Sequence, residues 1–252
     1  MKIIISPKYK QLTEFIYSIP EIFSNQGELL YNARNTIKVF QANGFTINVK
    51  SFKKPIFINR LIYSFIRKSK AERSFANAFE VQHRGISTPD PIAYIEIYNK
   101  GLISRSFYIS IQENVEGTMK EIYKREDNSC KELIQAFTMF TAELHKKGIF
   151  HKDYSPGNIL FKNTLGGYRF YLVDLNRMSF KKINILDSCK SFSRLRADDD
   201  TLNYIGEEYS KIRKYDEKFC QQLIQLYNRR FWKRHLERHP ESKYEFNQKQ
   251  MA

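Results

Sequence analysis

His151-Lys152-Asp153-Tyr154-Ser155-Pro156-Gly157-Asn158-Ile159-Leu160-Phe161, followed by Val173-Asp174-Leu175-Asn176, is the stretch on which the reading of this 252-residue chain turns. It offers a carboxylate, four spacer residues, a carboxamide, a short apolar run and then a second carboxylate. Ile159-Leu160-Phe161 and Phe170-Tyr171-Leu172-Val173 predict the two strands of a hairpin that turns at Gly166-Gly167. Such a hairpin would bring Asn158 and Asp174 to one site. Taken alone, Pro156-Gly157 is what any turn contains, and Asp153 and Asn158 are common loop residues. The offset of the Asn, the hairpin after it and the Asp at its end favour a reacting centre.

Phosphoryl transfer on a kinase fold needs this set. One Asp accepts the proton of the attacking hydroxyl, while an Asn and a second Asp hold the Mg²⁺ ions that bridge the ATP phosphates. The D-x-x-x-x-N spacing agrees with a kinase catalytic loop, with Lys152 where protein kinases usually carry Arg. The expected fold is therefore α+β and two-lobed, protein-kinase-like. A small antiparallel-sheet lobe with one helix, residues 1–113, would bind the ATP phosphates. A mainly helical large lobe, 114–252, would hold the catalytic loop, metal site and acceptor.

Upstream, Thr36–Phe40 and Phe45–Lys50 flank Asn43-Gly44, the strongest short hairpin signal. Phe45, Ile47 and Val49 share one face of the second strand, which leaves Lys50 on the other as the candidate phosphate lysine. Lys53 and Lys54 follow, next to Pro55, and a solvated strand lysine is the plainer alternative. The stretch before this hairpin, Leu30–Asn35, has no glycine where kinases usually carry a glycine-rich loop, so Arg34 is the donor it can add. Pro7 and Pro20 interrupt any long helix in the first thirty or so residues. Ser69 to about Arg84 predicts a helix closed by Gly85, with Ala71, Phe75, Ala78 and Phe79 as its buried stripe. Glu72 borders that stripe and is placed to orient Lys50, with Glu80 as a substitute. Ser69 and Glu72 also fit a capping box, which is a competing use of the same carboxylate. Strands follow over Ile92–Tyr98 and Leu102–Gln112. The chain would leave the small lobe near Glu113, where a connector presents backbone groups to adenine.

The large lobe is expected to begin with a helix from about Ser129 to Lys147, its stripe Leu133, Phe137, Phe140 and Leu144, capped by Gly148. A later helix is marked by Phe219, Leu223, Leu226, Tyr227 and Phe231. Its tail, Arg229-Arg230-Phe231-Trp232-Lys233-Arg234-His235, is basic with aromatics interleaved. Such a run either packs its aromatics with a solvated charged face or touches RNA or anionic lipid.

With 42% hydrophobic and 15% aromatic residues the composition is globular and excludes a disordered chain. Three cysteines, odd in number and without a C-x-x-C pair, indicate neither a disulfide framework nor zinc, and so a reducing compartment. Ile3-Ile4-Ile5 is too brief for a signal-peptide core, and no segment approaches the ~20 apolar residues of a membrane span. The formal charge of +15 suits nucleic acid, an anionic membrane or an acidic substrate, or simply a basic solvated surface.

Further residues narrow the reading. Ser69-Lys70-Ala71-Glu72-Arg73-Ser74-Phe75, Gly85-Ile86-Ser87-Thr88-Pro89-Asp90-Pro91-Ile92-Ala93-Tyr94, the catalytic stretch through Leu160, and Asp174-Leu175-Asn176-Arg177-Met178 resemble the lipopolysaccharide core kinases. These phosphorylate Kdo or heptose in the inner core, and the resemblance covers roughly residues 30 to 200. It implies Asp153 as catalytic base, Asn158 and Asp174 as Mg²⁺ ligands, Lys50 on the phosphates and Glu72 orienting it. It further implies ATP as donor and a lipid-linked acidic sugar as acceptor. The setting would be the cytoplasmic face of the inner membrane of a Gram-negative bacterium, with peripheral contact to anionic lipid. Nucleic acid is not expected as a partner, and no obligate protein partner is inferred. The absent A-P-E triplet argues against a protein-kinase activation segment, and Arg177, Lys181, Lys182, Arg194 and Arg196 bias that region toward carboxylate and phosphate groups. Two alternatives stay open: a kinase for another small molecule or a protein, and a catalytically weak lipid- or RNA-binding module on the same scaffold.

Overall fold

A computed structural model describes residues 1–53, 67–123 and 128–240. Lys54 and Pro55 lie outside the described residues. The chain divides into two compact units, Met1–Asn114 with Leu172–Arg177, and Val115–Tyr171 with Met178–Ala252.

The first unit is built on β1 (Lys2–Ile5), α1 (Thr13–Ile22), β2 (Glu28–Asn32), β3 (Thr36–Ala42), β4 (Phe45–Phe52), α2 (Lys70–His83), β5 (Pro91–Asn99) and β6 (Leu102–Ile111). Its six strands pair in the order β1-β5-β6-β4-β3-β2, each ladder antiparallel. Ala42 faces Phe45, so Asn43 and Gly44 make a two-residue turn with φ of 48° and 78°, the left-handed pair a type I′ turn requires. Strand alternation then sorts the two faces. Ile47, Val49, Phe107 and Ile109 pack under Leu12, Ile16 and Ile19, so α1 covers one face. Phe52, Tyr94 and Tyr108 meet Ala71 and Phe75, so α2 covers the other. α1 is an addition to the single helix expected here. Pro20 lies inside its last turn, where the lost N–H bond is offset by the burial of Ile16 and Ile19.

α2 begins as expected at Ser69, whose Oγ accepts from the Glu72 N–H at 3.0 Å. Its buried residues are Ala71, Ser74, Ala78 and Val81, while Phe79 is 42% exposed and meets only the edge of Phe75 among ring contacts. The stripe is rotated toward small side chains because only these let the helix lie close on the sheet.

The second unit holds β7 (Gly117–Thr118), α3 (Asn128–Lys146), β8 (Ile149–His151), β9 (Ile159–Thr164), β10 (Gly167–Leu172, all but its last residue), β11 (Met178–Phe180), α4 (Ile185–Ser191), α5 (Asp199–Arg213) and α6 (Glu217–Arg238). β9 and β10 form the expected hairpin and β7 pairs along β9, while β8 pairs with β11. Leu133, Phe137 and Leu144 of α3 are buried, and Gly148 ends the helix at φ 71°. In α6 the buried residues are Cys220, Leu223, Ile224 and Asn228, whereas Phe219 and Leu226 are exposed, a correction to the expected stripe. Asn228 explains the rotation: its side-chain amide donates to the Leu195 carbonyl at 2.7 Å. Cys189 and Cys220, remote in sequence, bring their thiols to 3.6 Å.

His145 on α3 is buried between the Tyr209 hydroxyl (2.7 Å) and the Ser191 hydroxyl (3.0 Å). Burial, helped by the Arg213 charge, pushes its imidazole down to about 3. The unfolded chain takes up a proton on this group near pH 6.5 and the folded chain does not, so stability is complete above that pH and falls as pH drops toward 3. The slope reaches about 1.4 kcal/mol per pH unit. Melting temperatures between pH 7 and 4.5 are expected to fall more steeply for the wild type than for His145→Gln; parallel curves would exclude this group as the cause.

Candidate functional site

Within the first unit, Lys50 projects from β4 on the α2 side and its Nζ lies 2.7 Å from Asp174 Oδ1. Its side chain is 12% exposed, so the ammonium is largely out of water and the carboxylate is its compensation. Asp174 has φ 59°, a left-handed value that short polar residues tolerate better than others. The segment around it is pinned from several directions. Asn176 Nδ2 donates to Asp174 Oδ1 at 2.6 Å. From α2, Arg73 Nε donates to the Asn176 carbonyl (3.0 Å) and Asn77 Nδ2 to the Leu175 carbonyl (2.6 Å). Thr88 Oγ1 donates to the Leu172 carbonyl at 2.7 Å, and the Leu172 N–H to the Ser87 carbonyl at 3.0 Å. Asp90, two residues on, accepts from Lys8, from the Tyr9 hydroxyl (2.8 Å) and from Gln82 (2.6 Å). The stretch Ser87–Asp90 thus has a physical task, to fix the chain that carries Asp174.

The Lys50–Glu72 pair expected from the sequence is not formed. Glu72 faces Lys2 (3.4 Å) and Lys68 (3.7 Å), and its backbone serves the Ser69 cap, while Lys50 goes to Asp174. Glu80, the substitute, is held by Arg84 at 2.7 Å. Arg34 sits exposed in the turn between β2 and β3. A cation missed in the sequence is Lys70, the first residue of α2 and one turn before Arg73. Burial, then the charges of Arg34 and Arg73, hold its ammonium below the usual lysine value, and Asp174 and Lys50 also act on it. Lys50 thus pairs with Asp174 while the Lys70 ammonium feels both of them together with Arg34 and Arg73, a local excess of positive charge suited to a polyanion. Glu113 follows β6, its carbonyl accepting from the Gln112 side chain at 3.1 Å.

In the second unit, the loop after β8 is braced by its own polar groups. The Asp153 N–H donates to buried His151 Nδ1 (3.1 Å), and the Asp153 carbonyl accepts from the Ser155 N–H (2.8 Å) and from Asn158 Nδ2 (2.9 Å). Tyr154 is buried with its hydroxyl 2.8 Å from Thr141. Those bonds run through the loop's backbone and do not use the Asp153 carboxylate. Its Oδ1 is 2.5 Å from Arg194 Nη1, with both side chains partly exposed. The sequence placed Arg194 in a generally basic region; nothing in the spacing reveals the pair, because a long stretch of intervening chain separates its members. A Cβ at Gly157 would meet Lys120 Cε at 3.0 Å, the far end of a flexible side chain that can shift aside.

Asn158 and Asp174 supply a carboxamide oxygen and a carboxylate, hard oxygen donors that suit Mg²⁺. Asn158 spends its Nδ2 on the Asp153 carbonyl, which turns its oxygen away from that bond. Among the described residues there is no group of three or more His, Cys, Asp or Glu that could hold a metal. By residue type, one carboxylate and one carboxamide oxygen are donors that Mg²⁺ takes beside substrate phosphates.

A model of the lipopolysaccharide kinase (Kdo/WaaP) family matches residues 30–215. Among solved structures, WaaP in complex with acyl carrier protein is similar over 92% of this chain and 100% of its own, with a TM-score of 0.63 at 13% identity. WbdD with the kinase inhibitor LY294002 aligns over 79% of this chain and 44% of its own, with a TM-score of 0.47 at 12% identity. No curated protein matches the sequence. The likeness to WaaP shows the α+β, kinase-like fold. Among the described residues no helix is long and apolar enough to cross a membrane.

Proposed function

Since the chain belongs to the lipopolysaccharide kinase (Kdo/WaaP) family, we propose that it transfers the γ-phosphoryl group of ATP to a hydroxyl of Kdo or heptose in the lipopolysaccharide inner core. The observation that carries this reading is the Lys50–Asp174 pair at 2.7 Å, with the Lys70 ammonium within electrostatic reach of both members. In this reading Lys50 binds the phosphates, with Arg34 adding charge and the connector at Glu113 meeting adenine. Lys50 is oriented by Asp174, not by Glu72. Asp153 accepts the proton of the sugar hydroxyl, its carboxylate held in place by Arg194. Asn158 and Asp174 would hold Mg²⁺, which would supply the charge neutralisation that a transferring phosphoryl group needs. The protein would act in the cytoplasm, in peripheral contact with the inner face of the inner membrane.

The test is transfer of label from ATP to Kdo-bearing lipid A in the presence of Mg²⁺, with and without acyl carrier protein, the partner in the WaaP structure. Labelled lipid is expected. Label only on heptose-containing cores would move the acceptor within the family, and ATP turnover with no labelled sugar on either would reject the acceptor class.

A further inference from the structure

α6 carries Tyr227, Arg230, Phe231, Arg234, His235 and Arg238 down one face, at the three- and four-residue spacing that ordinarily marks a core-facing stripe. Here that face lines a cavity of about 400 Å³, completed by Lys190 at the end of α4 and by Ser193. Four permanent cations, Lys190, Arg230, Arg234 and Arg238, therefore share one concave space. Among the described residues none of the four has a carboxylate in ion-pair contact, whereas Arg229, one position off this face, pairs with Asp199 at 2.6 Å. Gathered cations without counter-charge repel one another, and an anion in their midst reverses that cost. Arginine forks also match phosphate oxygens in pairs. The floor is aromatic: Phe231 and His235 stack with centroids 5.9 Å apart at 13°. The cavity also connects to the proposed base. The Arg194 guanidinium lies 5.1 Å from the Phe231 ring centre, and the same guanidinium holds Asp153 at 2.5 Å.

We propose that this cavity is an anion subsite for the acceptor: it seats a phosphomonoester of a phosphorylated glycolipid, so that the sugar hydroxyl of that lipid is presented at Asp153. The inference rests on the kinase reading above and names the part of the acceptor that reading leaves open. A single cavity of this size suits one or two phosphate groups, not a plane of headgroups or an extended RNA backbone. Its chain of contacts to Asp153 gives it a place in the transfer.

The test uses the full chain, wild type and Arg230→Gln/Arg234→Gln, each first shown to melt cooperatively. With Kdo-bearing lipid A as acceptor, the wild type is expected to have a KM about tenfold lower than with the same lipid dephosphorylated, the size of one charge-assisted contact. The variant should lose that preference through KM alone, with kcat and the KM for ATP nearly unchanged. Arg230→Lys/Arg234→Lys should regain part of it, which a packing role would not show. An equal KM loss on both lipids would overturn the subsite. A second readout, binding to neutral vesicles doped with lipid A, needs no sugar transfer. If turnover is absent yet wild type binds phosphorylated lipid A better than dephosphorylated, and the variant does not, the subsite stands and the acceptor assignment falls. Competition by phosphatidylglycerol vesicles or RNA as strong as by lipid A would mark a general anionic surface. Competition by orthophosphate at lipid-like concentrations would mark a free-phosphate site. Either result overturns the glycolipid assignment.

Discussion

Replacing Asp153 by Asn is expected to lower phosphoryl transfer by about 10²- to 10⁴-fold, the range for loss of a positioned proton acceptor, while leaving ATP binding within about twofold. The choice of Asn is physical. The bonds that shape this loop run through the Asp153 backbone, to His151, Ser155 and Asn158, and none needs the carboxylate. The carboxamide can still accept from Arg194, so the geometry at 2.5 Å survives with less charge behind it. Loss of a partly exposed ion pair costs at most about 1 kcal/mol of stability. A folded variant that binds ATP but does not transfer is therefore the expected result, read by labelled transfer beside nucleotide titration. Transfer at the wild-type rate would remove Asp153 from the mechanism, and the acceptor proton would need another destination.

The backbone elements that local chemistry dictates are legible in the amino-acid sequence. Asn43-Gly44 between alternating runs sets a hairpin register by itself, and Ser69 with Gly85 brackets α2 because caps satisfy groups a helix cannot. Asp153, Asn158 and Asp174 stand out in the sequence as candidates because the proposed metal and proton chemistry would restrict the residue types at those spacings. What stays hidden depends on facing partners. Phe79 and Leu226 match an ideal helical period, yet α2 and α6 are rotated by what they meet: a sheet that admits only small side chains, and the Asn228 bonds to the 192–195 backbone. Glu72 looks free to reach Lys50 until β1 places Lys2 beside it, and the first thirty residues carry no signal strong enough to place that strand. Arg73, Asn77 and Thr88 are visible within or beside a family-like stretch, but their targets are backbone carbonyls of the Asp174 segment, and carbonyls leave no trace in a sequence. Pairs joined across long loops, Arg194 with Asp153 above all, have no local signature at all.

The second large effect is expected at Lys50 and Asp174, and the two residues should fail differently. They neutralise one another at 2.7 Å in a partly buried place, so under the proposed function nucleotide binding would divide them, Lys50 turning to a phosphate and Asp174 to the metal. Lys50→Met would remove the proposed phosphate contact and leave Asp174 with its bond from Asn176. ATP affinity should fall about tenfold or more whether or not Mg²⁺ is present, as befits a lost charge-assisted contact. Asp174→Asn keeps a residue that tolerates the left-handed φ of 59° and keeps an acceptor for Lys50 and Asn176, so the segment held by Arg73, Asn77 and Thr88 should stay in place. It removes the charge that would make this oxygen a metal ligand. Metal-free ATP should then bind as well as to the wild type, or better, since Lys50 no longer has a carboxylate to leave. The gain in affinity on adding Mg²⁺ should vanish, and transfer should fall about a thousandfold. Nucleotide titrations with and without Mg²⁺ on both variants separate the roles. If Asp174→Asn retained the full Mg²⁺ effect, Asp174 would be only the counter-ion of Lys50, and the metal would have to be held from elsewhere in the chain.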